Sequence, residues 1–132
     1  MKYLNLNILI PIAPATKKNS NRIVKARGHY IILPSQRFVE YEKACKEYMP
    51  VTYSPIYDPV NVQCVYYMPT RRRVDLVNLQ EATLDVLVKY RIIDDDNSNI
   101  VVSMDGSKVF WDKENPRTEI TITPINRSTE DG

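Results

Sequence analysis

The chain is poor in the residues on which several kinds of active centre depend. Its 132 residues include one histidine, two cysteines and three glycines. With His29 alone, neither a His-based metal centre nor a Ser–His–Asp triad is expected. Cys45 and Cys64 stand in no metal-type spacing and read as ordinary buried thiols of a reducing compartment. Three glycines leave no Gly-rich phosphate loop. No apolar run is long enough to span a membrane. The N-terminal MKYLNLNILIPIAPA has a lysine, an apolar stretch and an A-x-A-like end, but Asn5, Asn7 and Pro11 break it. Its alternation of Leu4, Leu6, Ile8 and Ile10 is that of a strand, not of a signal peptide, so the chain reads as cytoplasmic.

What is present is a globular composition, 43% hydrophobic, in a length that suits one domain spanning residues 1–132. Charge is unevenly placed. Residues 1–50 hold nine Lys/Arg against three Glu, and residues 51–132 hold nine against thirteen Asp/Glu. Such a division suits a protein that grips a polyanion with one part and a metal with another, and equally suits a plain soluble protein.

The spacing of apolar residues predicts an order of elements. A half-buried strand covers residues 3–10, and a basic loop, TKKNSN, follows it. NRIVKARGHYIIL reads as a hairpin turning at Arg27-Gly28. Ser35 is a fitting N-cap for a helix carrying Phe38, Tyr41, Ala44/Cys45 and Tyr48, which Pro50 ends. Residues 51–59 are loop. Val60, Val62, Cys64, Tyr66 and Met68 mark one face of a long strand. DLVNLQEATLDVLVKY is a second amphipathic helix, with Asp75 at its N-cap. Residues 99–103 read as a strand, Asp105-Gly106 as a hairpin turn, and residues 109–111 as the return strand. Residues 117–125 close the sheet, and 126–132 form a frayed tail. This β-β-β-α-β-α-β-β-β order predicts an α+β domain, a mixed sheet with two main helices packed on it.

The acids available for chemistry are Asp75, Glu81, Asp85, Asp94, Asp95, Asp96 and Asp105. The run RIIDDDNSNI crowds three of them into one turn. Like charges so close raise one another's pKa unless a cation joins them, and a hard divalent cation takes such oxygen ligands. Each feature also has a plain reading. Asp75 serves as a helix cap, residues 94–96 as an Asp-rich turn, Asp105 as a hairpin residue, and Arg71, Arg72 and Arg73 as a solvated run. Lys17, Lys18 and Asn19 serve equally as a surface loop. A helix of about fifteen residues is roughly 22 Å long, so the aspartates after it meet Asp75 only if the chain runs back along it.

Two stretches carry a resemblance. RRRVDLVNLQEATLDVL, followed by IIDDDNSNIV, resembles the RusA family of Holliday junction resolvases: a basic run, a D-L-D-N-L helix start, then paired aspartates after a short apolar step. TKKNSNRI and the PSQRFVEYE helix start are similar to the family's N-terminal half, and the likeness covers most of residues 8–125. It implies a small homodimeric, Mg²⁺-dependent endonuclease, with Mn²⁺ as a possible substitute, that nicks four-way DNA junctions and is often encoded by a phage or prophage. Carried over by position, Asp75, Asp95 and Asp96 are the implied catalytic and metal-binding aspartates. Arg71, Arg72 and Arg73 match the family's basic run, and together with the basic loop of Lys17, Lys18 and Asn19 they are the expected DNA contacts. Two positions depart. Val77 stands where the pattern has its second helix-start aspartate, and Glu81 where it has a lysine. Since 77 and 81 lie one turn apart on one helix face, Glu81 is expected to supply the missing carboxylate, and Asp105 a further one if its hairpin folds over the site. The alternative is a weakened or inactive protein that only binds branched DNA.

Overall fold

The computed structural model of the chain describes residues 5–17, 22–33 and 35–126. Its elements are β1 (Leu6–Ile10), β2 (Arg22–Ala26), β3 (His29–Leu33), α1 (Gln36–Cys45), β4 (Val60–Met68), α2 (Leu76–Lys89), β5 (Val101–Ser103), β6 (Lys108–Trp111) and β7 (Arg117–Pro124), with a 3₁₀ turn at Lys46–Tyr48. The order and type are those the periodicities predict, and the domain is α+β. β1, β7 and β4 pair antiparallel in that order. Their inward rows are Ile8 and Ile10, Ile120 and Ile122, and Val60, Val62, Cys64 and Tyr66, each at most 4% exposed.

The two helices cover that face. Phe38, Tyr41 and Cys45 of α1 and Leu79, Ala82, Thr83, Val86 and Leu87 of α2 join the same core. Burying a side chain of this size contributes about 1.5–3 kcal/mol. Ser35 caps α1, its Oγ accepting from the Phe38 amide at 3.0 Å. The Tyr66 and Thr83 hydroxyls share a hydrogen bond of 2.7 Å between β4 and α2, and Tyr90 donates to the Glu42 carbonyl at 2.7 Å, tying the end of α2 to α1. Burial raises the pKa of the Cys45 thiol to about 11 and of the Cys64 thiol to about 12, as inert core thiols require.

β2 and β3 form a separate two-stranded ribbon, antiparallel as expected. Its turn residues, Arg27 and Gly28, have φ of 52° and 81°. A two-residue turn of matching twist needs positive φ at both positions, so Arg27 bears a steric cost of about 1 kcal/mol.

The expected hairpin at Asp105-Gly106 does not form. β5 and β6 both run parallel to β4, the first beside its start and the second beside its end. They are two pieces of one edge strand, broken by residues 104–107. The reason lies in side chains that the strand pattern hides. Asn61 Oδ1 accepts from the Asp105 amide at 2.7 Å and from the Ser103 hydroxyl, and its Nδ2 donates to the Asp105 carbonyl. Ser107 Oγ accepts from the Cys64 amide and donates to the Met104 carbonyl. With its polar groups satisfied by β4, the Asp-Gly pair makes a bulge, and Gly106 (φ 88°) sits against the Gln63 side chain. Asn61 and Gln63 point away from the helices, so Asp105 is held on the opposite face from α2.

Candidate functional site

β4, α2 and β5 form a parallel crossover unit, and its geometry sorts the predicted residues. Asp75 follows the end of β4. Asp95 and Asp96 precede β5, which starts beside Val60 at the opposite end of β4. That strand is nine residues long, roughly 27 Å end to end, and α2 of fourteen residues spans about 21 Å. One chain therefore holds Asp75 at one end of the helix and the paired aspartates near the other.

The path to those aspartates is set by how α2 stops. Arg91 has φ of 60° and donates to the Val88 carbonyl, while the Ile92 amide donates to the Leu87 carbonyl at 2.8 Å. This is a Schellman closure with arginine in the place usually taken by glycine. It drives Ile92 and Ile93 into the core, both 0% exposed. The Ile56 amide donates to the Ile92 carbonyl, and the Asp94 amide to the Ile56 carbonyl. The chain emerges at residues 94–96, all exposed. Asp95 builds the turn: its Oδ1 accepts from the Asp96 amide at 2.8 Å and its Oδ2 from Asn97 Nδ2 at 3.0 Å.

Two clefts lie beside α2, each lined in part by residues of α1 and of 14–17. The first, of about 700 Å³, is basic: Arg37, Arg72 and Arg73 line it with Thr16, Thr70, Met68 and Leu79. All three arginines are exposed, and none forms an ion pair among the described residues. The second, of about 520 Å³, holds Lys17, Glu42, Asp85, Lys89, Asp95 and Asp96. Here cations and carboxylates are matched: Lys17 pairs with Asp85, and Lys89 with Glu42 at 3.3 Å. The Asp85 hydrogen bond holds the Lys17 ammonium above its usual pKa, and the negative charges of Asp85, Glu81 and Glu42 add to the rise. Partial burial, then the hydrogen bond and charge of Asp95, raise the Asp96 carboxyl above the usual carboxylate range, and Asp85 adds to the rise.

Asp75 has extended N-cap geometry, but its carboxylate caps no backbone amide, and its Oδ2 accepts from Asn78 Nδ2 at 3.4 Å. Val77 is 70% exposed. Glu81 is exposed one turn further on, with its charge felt at Lys17. Asp105 is on the far face of the sheet and does not fold over either cleft. Lys18 and Asn19 lie outside the described residues. Among the described residues no three His, Cys, Asp or Glu side chains come together closely enough to hold a metal ion. The residues that could hold a hard cation here are Asp95 and Asp96, two exposed oxygen donors lining one cleft, in the donor class that Mg²⁺ takes together with waters and phosphate.

Sequence reasoning left Arg37 out of the site. Its signal was a cation in the first turn of a helix, where the macrodipole favours anions. Asp85 was among the candidate acids, but its pairing with Lys17 is set by tertiary contact.

A family model described as Endodeoxyribonuclease RusA matches residues 11–123, and the chain belongs to that family. No curated protein matches the chain. Among the described residues no helix is long and apolar enough to cross a membrane.

Proposed function

We propose that the protein is a Mg²⁺-dependent, structure-selective endodeoxyribonuclease that resolves four-way DNA junctions by paired phosphodiester hydrolysis. The observation that supports this reading is the pair of clefts beside α2, with Arg37, Arg72 and Arg73 in one and Asp95 and Asp96 in the other. The arginines hold backbone phosphates, so affinity falls steeply with salt. Asp95 and Asp96 hold the cation, Glu81 is a further carboxylate on the helix beside them, Asp75 stands at the other end of α2 and is out of reach of that cation within one chain, and Arg71 is a third phosphate contact of the basic run. When bound, the cation supplies the charge that polarises a phosphodiester and eases deprotonation of water. A homodimer suits the substrate, because a four-way junction has a two-fold axis that a C₂ pair of sites can match.

The test uses a labelled synthetic four-way junction beside matched duplex, with Mg²⁺, Mn²⁺ or EDTA. Paired nicks on the junction alone, in Mg²⁺ with the natural sequence and not with Asp96→Asn, are expected. Cleavage of the duplex at an equal rate would reject junction selectivity, and full activity in EDTA would reject the metal. A second reading is a branched-DNA-binding protein with weakened or no catalysis. It is favoured by the exposed Val77 in place of a carboxylate and by the separation of Asp75 from Asp95 and Asp96. Tight junction binding without nicks in either metal would select it.

A further inference from the structure

We propose that Trp111 is a stacking platform for an unpaired DNA base, mounted at the rim of the basic cleft. The inference rests on the DNA-binding reading above and adds a residue to it. β6 pairs parallel with β4, and the register sets Trp111 beside Met68. Register partners point to the same face, so Trp111 stands on Met68's side of the sheet, one strand spacing of about 4.8 Å further out. Met68 lines the basic cleft. The two strands end together there, where the Asp112 amide donates to the Met68 carbonyl at 2.9 Å.

Three residues past Met68 the chain turns back over the strand end. The Arg71 guanidinium lies over the Trp111 ring, 4.1 Å from its centroid. Arg71 has no ion pair among the described residues, and its neighbours Arg72 and Arg73 line the cleft. The indole is 44% exposed on an edge strand. An aromatic ring held by a cation on one side and open to solvent beside a phosphate-binding cleft has the chemistry of a single-strand contact: the cation meets the phosphate and the ring meets the base. A fully paired duplex offers no free base face. A branch point, where pairing is strained, does. Trp111 therefore favours junctions and single strands over duplex.

A comparison within the sheet supports the assignment. Arg117 also lies over a ring, 3.7 Å from the Tyr67 centroid, but it is bound to Glu119 at 2.7 Å and to Asp112 at 2.9 Å. That arginine has its anions in the fold. Arg71 does not.

The chain has one tryptophan, so fluorescence excited selectively at tryptophan, beyond the absorption of the tyrosines, reports this site alone. The full-length protein is titrated at low salt with a four-way junction, a single-stranded oligonucleotide and a matched duplex, while anisotropy of a label on each DNA follows binding independently. Quenching by junction and single strand, and little by bound duplex, is expected. Trp111→Ala is expected to weaken junction binding roughly tenfold and duplex binding much less, and Trp111→Phe to retain most of the affinity. Binding seen by anisotropy with unmoved fluorescence, or an equal loss on all three DNAs in Trp111→Ala, overturns the stacking role and leaves the DNA-binding reading intact. Fluorescence that follows protein concentration instead of DNA overturns it in favour of contact between copies. No binding of any DNA at low salt overturns both.

Discussion

The two clefts beside α2, one toward each end of it, carry charge in opposite ways. At the basic end Arg37, Arg72 and Arg73 face solvent with no carboxylate partner among the described residues. At the acidic end Lys17 and Lys89 are already committed to Asp85 and Glu42, and Asp95 and Asp96 form no ion pair among the described residues. An exposed ion pair contributes only about 0–1 kcal/mol, so Lys17–Asp85 and Lys89–Glu42 neutralise those four charges without adding much to the fold, and leave Asp95 and Asp96 as the carboxylates of that cleft for which a ligand would supply the cation. An end that gathers three like charges without partners is held together against repulsion by the surrounding structure, and its complement is expected in a ligand.

The comparison breaks first at Asp96. Asp96→Asn is expected to reduce Mg²⁺-dependent junction cleavage by roughly a hundredfold or more in single-turnover assays, since a cation ligand is lost. The fold should not suffer. The Asp96 pKa is raised in the folded state, so the folded protein binds its proton more tightly than the unfolded chain. Stability from this group is present at low pH and is lost as pH rises through the region just above the ordinary carboxylate range. The variant removes that loss. In urea titrations, unfolding stability at pH 7 minus that at pH 4 should be more positive in Asp96→Asn than in the natural sequence. A variant less stable at pH 7 would mean the carboxylate serves the turn instead.

The next test exchanges the two groups of cations. Arg72→Gln with Arg73→Gln should lower the slope of log affinity against log salt by about 2, and affinity by ten- to a hundredfold at moderate salt. Lys89→Gln should change the slope by much less, because its charge is already matched by Glu42. Equal slopes for the two variants would erase the distinction between the ends.

A smaller effect is expected at the ion pair itself. Asp85→Asn frees Lys17 at a stability cost below about 1 kcal/mol, the pair being about one-third exposed on both sides. Electrophoretic titration at low salt should then show slightly tighter DNA binding. Weaker binding would mean Asp85 does more than hold Lys17.

The smallest change is at the turn that delivers the aspartates. Arg91→Gly relieves a positive φ in a non-glycine residue and should add about 0.5–1 kcal/mol in thermal unfolding, with cleavage unaltered. Destabilisation would mean that the arginine side chain contributes more than its backbone strain costs.

Much of the fold was legible because its signals are periodic. Alternation in Leu6–Ile10, Val60–Met68 and Arg117–Pro124 gave three strands of the sheet, and Ser35 gave the start of α1. The bulge at residues 104–107 was not legible. Asp-Gly is a hairpin signal by local chemistry, and the side chains that override it, Asn61, Gln63 and Ser107, come from a strand forty residues away and from the bulge itself. The basic run and the paired aspartates were visible as motifs. Their places at opposite ends of α2 were not, since that depends on a parallel crossover that begins β5 beside the start of β4.

The sequence by itself determined which residues are apolar, in what period, and so which faces are buried. It also determined the family, through motifs of local spacing. The tertiary structure decided which charges meet. Lys17 and Asp85, Arg71 and Trp111, and Arg37 with Arg72 and Arg73 are far apart in the chain. A Coulomb or stacking contact acts over a few ångströms, and only packing both helices on one face of the sheet brings such groups within that reach.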